Sequence, residues 1–156
     1  MLNAIKKVWQ DEIKAEGFME RLVVDHPSLN IRCMEVLDIL EGVRIGEELK
    51  EAANFFAKEH KAGCLGLAAN QLGYLKRVFV AKHRKNFKIY VNPQFEPADR
   101  PVLKVEYCLS HPGKKFAVRR HRKIWAWAEN QERKLLVGLE AEIFQHEMDH
   151  LEGKMV

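Results

Sequence analysis

Several things are scarce in this sequence, and each scarcity excludes something. There is no run of eighteen apolar residues, so no transmembrane helix is expected. The opening MLNAIKKVWQDEIK has no apolar stretch of the kind a secretory signal carries. Cysteine occurs only three times, as Cys33, Cys64 and Cys108. An odd count at irregular spacing is a poor disulfide framework. With no export signal, a cytoplasmic chain with reduced thiols is expected. The five prolines and nine glycines are scattered, so no long linker is evident, and there is no repeat or low-complexity stretch. Neither sign of charge dominates. The 26 basic and 22 acidic side chains leave a net +4, which rules out a polybasic or acidic arm as the main feature. With 47% apolar residues, disorder is excluded as well.

What remains is a chain of 156 residues with enough apolar matter for one core. A single domain over 1–156 is expected, with residues 1–25 carrying no readable motif. Residues 3–16 have the spacing of an amphipathic helix through Ile5, Val8, Trp9 and Ile13. The stretch 22–33, with His-Pro-Ser-Leu-Asn, reads as loop, and 34–41 is ambiguous. Residues 47–61 read as a helix whose buried face is Leu49, Ala52, Ala53, Phe56 and His60, ended by Gly63. Strands are predicted at 77–81, 87–92, 102–106, 116–120, 123–129 and 134–138. In 123–129, Trp125 and Trp127 face one side, Ala126 and Ala128 the other. A last helix is predicted over about 139–152, with Gly153 at its C-terminal cap. The expected class is α+β: mixed or antiparallel sheets packed around this C-terminal helix.

That helix contains Gln145-His146-Glu147-Met148-Asp149-His150, an HExxH pattern. Histidines four apart differ by about 40° around a helix, so both rings reach one side and can share a metal ion. Leu139 and Ile143 lie on the same face. Glu147 is one step off it, where a carboxylate can take a proton from water activated by the ion. A catalytic metal usually has three protein ligands. The sequence ends six residues after His150, so a third ligand must lie upstream, with Cys108, Cys64, His111, His121, His83 and His60 as candidates.

Three ordered segments narrow the choice: Cys64-Leu65-Gly66-Leu67-Ala68-Ala69-Asn70-Gln71, Glu106-Tyr107-Cys108-Leu109-Ser110, and Gln145 to His150 followed by Leu151 and Gly153. Together they resemble the peptide deformylase family, which is marked by GxGLAAxQ, EGCLS and QHExDHLxG. The third segment matches fully. The first two depart at one glycine each, where Cys64 and Tyr107 stand. The resemblance covers about residues 26–156.

The resemblance implies a metal held by Cys108, His146 and His150. It also implies hydrolysis of the formyl group from N-formylmethionyl peptides of nascent chains, releasing formate. The ion expected is divalent, with Fe(II) first and Zn, Ni or Co as alternatives; a thiolate ligand argues against Mg or Ca. Glu147 would move the proton. Gln71 and the Leu109 backbone N–H would stabilise the oxyanion. Glu106 and Arg120 would form a supporting pair beneath the ligands. Gly66 would admit the substrate backbone. Leu65, Leu139 and Ile143 would wall the methionine pocket, Lys115 would touch substrate carbonyls, and Tyr107 would face the cleft or the outer surface.

Two other classes fit parts of the sequence. One is an HExxH metallopeptidase with a third ligand other than Cys108. The other is a basic ribosome- or RNA-binding domain with a structural metal, suggested by the basic run 114–123. A strand with a basic outer face explains that run more simply. The family commonly continues past this point into a C-terminal element that docks on ribosomes. The expectation here is therefore a short monomeric form with weak ribosome contact and no DNA or membrane partner. Formyl-methionine chemistry places it in bacteria, an organelle, or a host cytoplasm if virus-encoded.

Overall fold

The computed structural model describes residues 17–59 and 63–154. The helix expected over 3–16, and His60 at the end of the next one, lie outside the described residues. Residues 17–21 are helical, and a short 3-10 turn follows at Pro27–Asn30. Then come α1 (Ile39–Glu59), β1 (Gly66–Ala68), a 3-10 turn at Ala69–Leu72, β2 (Val78–His83), β3 (Asn86–Val91), β4 (Gln94–Pro97), β5 (Val102–Glu106), β6 (Phe116–Arg120), β7 (Lys123–Ala128), β8 (Gln131–Val137) and α2 (Leu139–Leu151).

All strand pairings between these elements are antiparallel. They form a sheet in the order β1-β2-β3, a second in the order β4-β7-β8, and the separate hairpin β5-β6. One parallel bridge joins Met34 to Lys76. The sheets are antiparallel rather than mixed, apart from that bridge.

The helix read at 47–61 begins earlier, at Ile39, because Gly42 and Gly46 serve packing rather than propensity. A β-carbon on Gly42 would come within 2.5 Å of Val91 Cγ1, and one on Gly46 would overlap Ile89 Cγ2. Two side-chain-free positions a helical turn apart let α1 lie close against β3. Its face through Ile45, Leu49, Ala52, Ala53 and Phe56 is buried against Leu67, Val78, Val80 and Val91.

A second core sits under α2. Phe144 meets Phe79 and Tyr90 edge-on, with ring centroids 5.0 Å apart in both pairs. Such contacts add to the burial of the rings themselves. Ile124, Ala126 and Ala128 of β7 face this core, while Trp125 on the alternate face is exposed. A register shift between Ala126 and Ala128 interrupts the β7–β8 pairing.

Phe144 fixes the rotation of α2. At about 100° per residue, His146 and His150 fall roughly 200–240° away from it, on the face turned from the β2–β3 sheet. Gln145 holds the helix from the side: its Oε1 accepts from the His121 N–H at 2.8 Å, and its Nε2 donates to His121 O at 2.7 Å. Gly153, at φ +72, follows the last turn as the cap position predicts.

Candidate metal centre

The end of β5 meets α2. Cys108 follows that strand, and its Sγ lies 3.2 Å from His150 Nε2. One donor atom each from Cys108, His146 and His150 lies within 4.8 Å of the other two. A tetrahedral ion with ordinary metal–sulfur and metal–nitrogen bonds separates sulfur from nitrogen by about 3.5 Å. The three side chains therefore fit a divalent ion. A thiolate and two imidazoles suit a borderline-soft transition metal.

The surroundings prepare these donors. His146 Nδ1 lies 2.8 Å from Glu106 Oε1. A carboxylate can only accept, so Nδ1 carries a proton and Nε2 is the nitrogen that would ligate, an ion displacing any proton it holds. Burial pulls the His146 ring down, but hydrogen bonds with Cys108 and Glu106 push it up to about 10, so the site attracts positive charge. Burial holds His150 well below its ordinary value, as a neutral ring, and its Nδ1 has no hydrogen-bond partner among the described residues. Glu106 is desolvated, yet hydrogen bonds from His146 and Arg120 hold its carboxyl down near about 2. Arg120 grips it with Nε at 3.0 Å and a second nitrogen at 2.8 Å, and reaches Asp149 Oδ2 at 2.5 Å. One buried guanidinium thus ties β5 and β6 to α2.

Glu147 sits beside this triad, 3% exposed in a chain position next to His146. Burial pushes its carboxyl up to about 7, the range in which a group both takes and returns protons near neutrality. Its Oε2 is buried with no hydrogen-bond partner among the described residues. The other side of the carboxylate faces Gly66, where an added β-carbon would lie 2.5 Å from Glu147 Oε1. The glycine expected to admit a substrate backbone is thus also the space that Glu147 occupies.

Gln71 completes the centre from the turn after β1. Its Oε1 accepts from the Ala68 N–H at 2.9 Å, which orients the amide. Its Nε2 then faces Ser110 Oγ at 3.1 Å and Cys108 Sγ at 3.7 Å. Leu109, partly buried between them in sequence, packs against the α1 core.

The family model for polypeptide deformylase matches residues 19–156. The chain belongs to that family. A peptide deformylase of Dictyoglomus turgidum is 32% identical over 143 residues, which is 88% of this chain and 90% of the relative. A probable peptide deformylase from Synechococcus phage S-SSM7 superposes with a TM-score of 0.71 at 30% identity, covering 86% of this chain and 95% of that one. The peptide deformylase of the Vibrio parahaemolyticus bacteriophage VP16T, solved with actinonin, gives 0.66 at 30% identity over 87% and 99% of the two chains. Polypeptide deformylases are metal-dependent hydrolases, and the donor set described above is consistent with that.

The other residues singled out from the sequence are placed unevenly. Ile143 is buried in the core under α2, whereas Leu65 and Leu139 are 45% and 59% exposed. Tyr107, 63% exposed, has no positive φ, so the loss of the family glycine there brings no backbone strain. Lys115 is exposed. Of the other five ligand candidates, the described Cys64, His83, His111 and His121 lie outside the triad, and His60 outside the described residues. Cys64 donates to Gly66 O at 3.3 Å, and burial pushes its thiol up to about 12. His83 faces Glu140, and His121 faces Asp99. Two residues were not foreseen: Ser110, which anchors Gln71, and Asp25, which meets the fourth candidate, His111, at 3.0 Å. Ser110 closes the second motif and was open to such a reading. Asp25 carries no sequence signal.

Proposed function

We propose that this chain is one catalytic unit that hydrolyses the N-formyl group of N-formylmethionyl peptides on nascent proteins, releasing formate. The carrying observation is the convergence of Cys108, His146 and His150, with Glu147 buried beside them and Gln71 Nε2 turned toward the Cys108 sulfur. Cys108 as a ligand favours this reading over a metallopeptidase built on the same helix. A divalent ion, Fe(II) in the cell with Zn, Ni or Co as substitutes, would supply Lewis acidity toward the formyl carbonyl and toward water.

The chain's own groups do the rest. Glu147 accepts the proton of the attacking water and returns it to the amine nitrogen as the formyl C–N bond breaks. Gln71 Nε2–H and the Leu109 N–H donate to the oxygen that gains charge; one such donor is worth about 10²–10³ in rate. Glu106 and Arg120 keep His146 in the ligating tautomer and orientation. Among the described residues β1 is an edge strand, paired with β2 alone, so an extended peptide can align along Gly66. Leu65 and Leu139 offer exposed apolar surface to the methionine side chain, whereas Ile143 is packed in the core under α2. Tyr107 and Lys115, both exposed, would meet residues beyond it. We read the protein as a cytoplasmic monomer that meets ribosomes weakly.

The test is formate release from formyl-Met-Ala-Ser by protein purified anaerobically with Fe(II) or Ni(II). Formate at turnover rates supports the reading. A folded, metal-loaded protein that releases none removes it.

A further inference from the structure

The segment just before the Pro27–Asn30 turn lies across two parts of the site that are far apart in sequence. The Val23 N–H donates to Gln71 O at 2.8 Å. Two residues on, the Asp25 N–H donates to Ser110 O at 2.9 Å. Alternate backbone donors of one short segment therefore hold the turn that carries Gln71 and the loop that carries Cys108, Leu109 and Ser110.

The side chain of Asp25 fastens the second end. Its Oδ1 lies 3.0 Å from His111 Nδ1 and 3.2 Å from Lys114 Nζ. A carboxylate accepts only, so His111 donates from Nδ1. The His111 ring is buried, with its edge against Phe116 at 5.4 Å between centroids. The His111 N–H donates to Cys108 O at 3.1 Å, so the braced residue closes the turn that contains Leu109. Asp25 takes φ +46, a left-handed backbone uncommon outside glycine and best tolerated by Asn and Asp. A strained conformation held by three hydrogen bonds at a site is a reason to look for a role.

We infer that residues 23–25 are a strap, locked by the Asp25–His111 pair, that sets the separation between the two oxyanion donors, Gln71 Nε2 and the Leu109 N–H. Asp25 and His111 are positioning residues: neither touches the reacting atoms. The inference rests on the functional reading above. It goes beyond it by adding a third chain segment to the two that present the donors.

The strap predicts a particular kinetic pattern. Asp25→Ala removes both the carboxylate and a residue type suited to φ +46. Asp25→Asn keeps a carbonyl oxygen for His111 and tolerates the same backbone. Misplacing one donor by about 1 Å costs up to about 10²-fold in rate.

The experiment uses the full chain loaded with Ni(II) and formyl-Met-Ala-Ser. It reads kcat and KM separately, together with nickel content and melting temperature. The expected result is a kcat lowered about 10- to 100-fold in Asp25→Ala, with KM and nickel content unchanged, and most of the rate restored in Asp25→Asn. Wild-type kcat in Asp25→Ala overturns the inference. So does equal loss in Asp25→Ala and Asp25→Asn, or loss of nickel or of the fold, since the segment would then be holding something other than the donors. An inactive wild-type chain sinks the functional reading and this inference with it.

Discussion

Adding one carbon at position 66 tests the centre sharply. The Gly66 backbone is pinned: residue 66 pairs with Ala81 in the β1–β2 ladder, and Leu65 O accepts from the Lys82 N–H at 2.8 Å. In Gly66→Ala the new β-carbon would lie 2.5 Å from Glu147 Oε1 and 2.9 Å from both Cδ and Cγ. Ordinary contact begins near 3.4 Å, so the strand cannot yield and the carboxylate must move by roughly 1 Å. Glu147 is the proposed proton carrier, and a shift of that size in such a group costs up to about 10²-fold in kcat. Crowding a buried site costs about 1–3 kcal/mol as well, which lowers the melting temperature of a domain this size by about 2–4 °C per kcal/mol. Formate release gives kcat, metal analysis shows whether the ligands are intact, and a thermal melt gives the stability. Metal content should stay at the wild-type level, since Cys108, His146 and His150 are not displaced. A Gly66→Ala protein with wild-type kcat would refute the claim that Glu147 fills the place of that side chain and does the proton transfer from there.

Three further outcomes follow from the same geometry. Cys108→Ser removes the thiolate and should leave no stoichiometric metal after dialysis; retention of a full equivalent would dismiss the ligand set. Glu147→Gln is nearly isosteric and leaves the three ligands in place, so metal analysis should find the ion while formate release falls by about 10²-fold or more. Gly46→Ala drives a β-carbon into Ile89 beneath α1 and should destabilise by about 1–3 kcal/mol in a urea titration, with kcat per folded molecule unchanged.

The parts of the fold that could be read in advance are those with a local pattern. β5 and β6 fall at 102–106 and 116–120 as expected, because β-branched and aromatic residues cluster there between turn residues. β1 has only three residues and β4 ends in Pro97, too little for an alternation to show. β8 starts at Gln131 rather than at 134 because Glu132 and Arg133 are exposed and break the apolar run. The first turns of α1 were hidden by Gly42 and Gly46, whose purpose lies in β3.

The same division holds at the site. His146, Glu147 and His150 share one helix, and spacing alone brings them together. Gln71 and Leu109 came only through the ordered motifs, which also singled out Cys108 from six open candidates. Ser110 against Gln71, and Asp25 against His111 across 86 positions, are contacts between distant segments with no periodicity to announce them. The reason for Gly66 was equally hidden, since its neighbour Glu147 lies 81 positions along the chain.

The β5–β6 hairpin joins neither three-stranded sheet among the described residues. Its links to α2 are charged: Lys104 to Glu142, Glu106 to His146 and Arg120 to Asp149. It can therefore swing away as a unit without unzipping a sheet, the behaviour of a small independent foldon. An ion held by Cys108 and the two histidines would be a rivet through that joint. Loading would then tighten the closure beyond what these ion pairs supply. Proteolysis samples such openings in proportion to their population, so metal loading should slow cleavage within the hairpin.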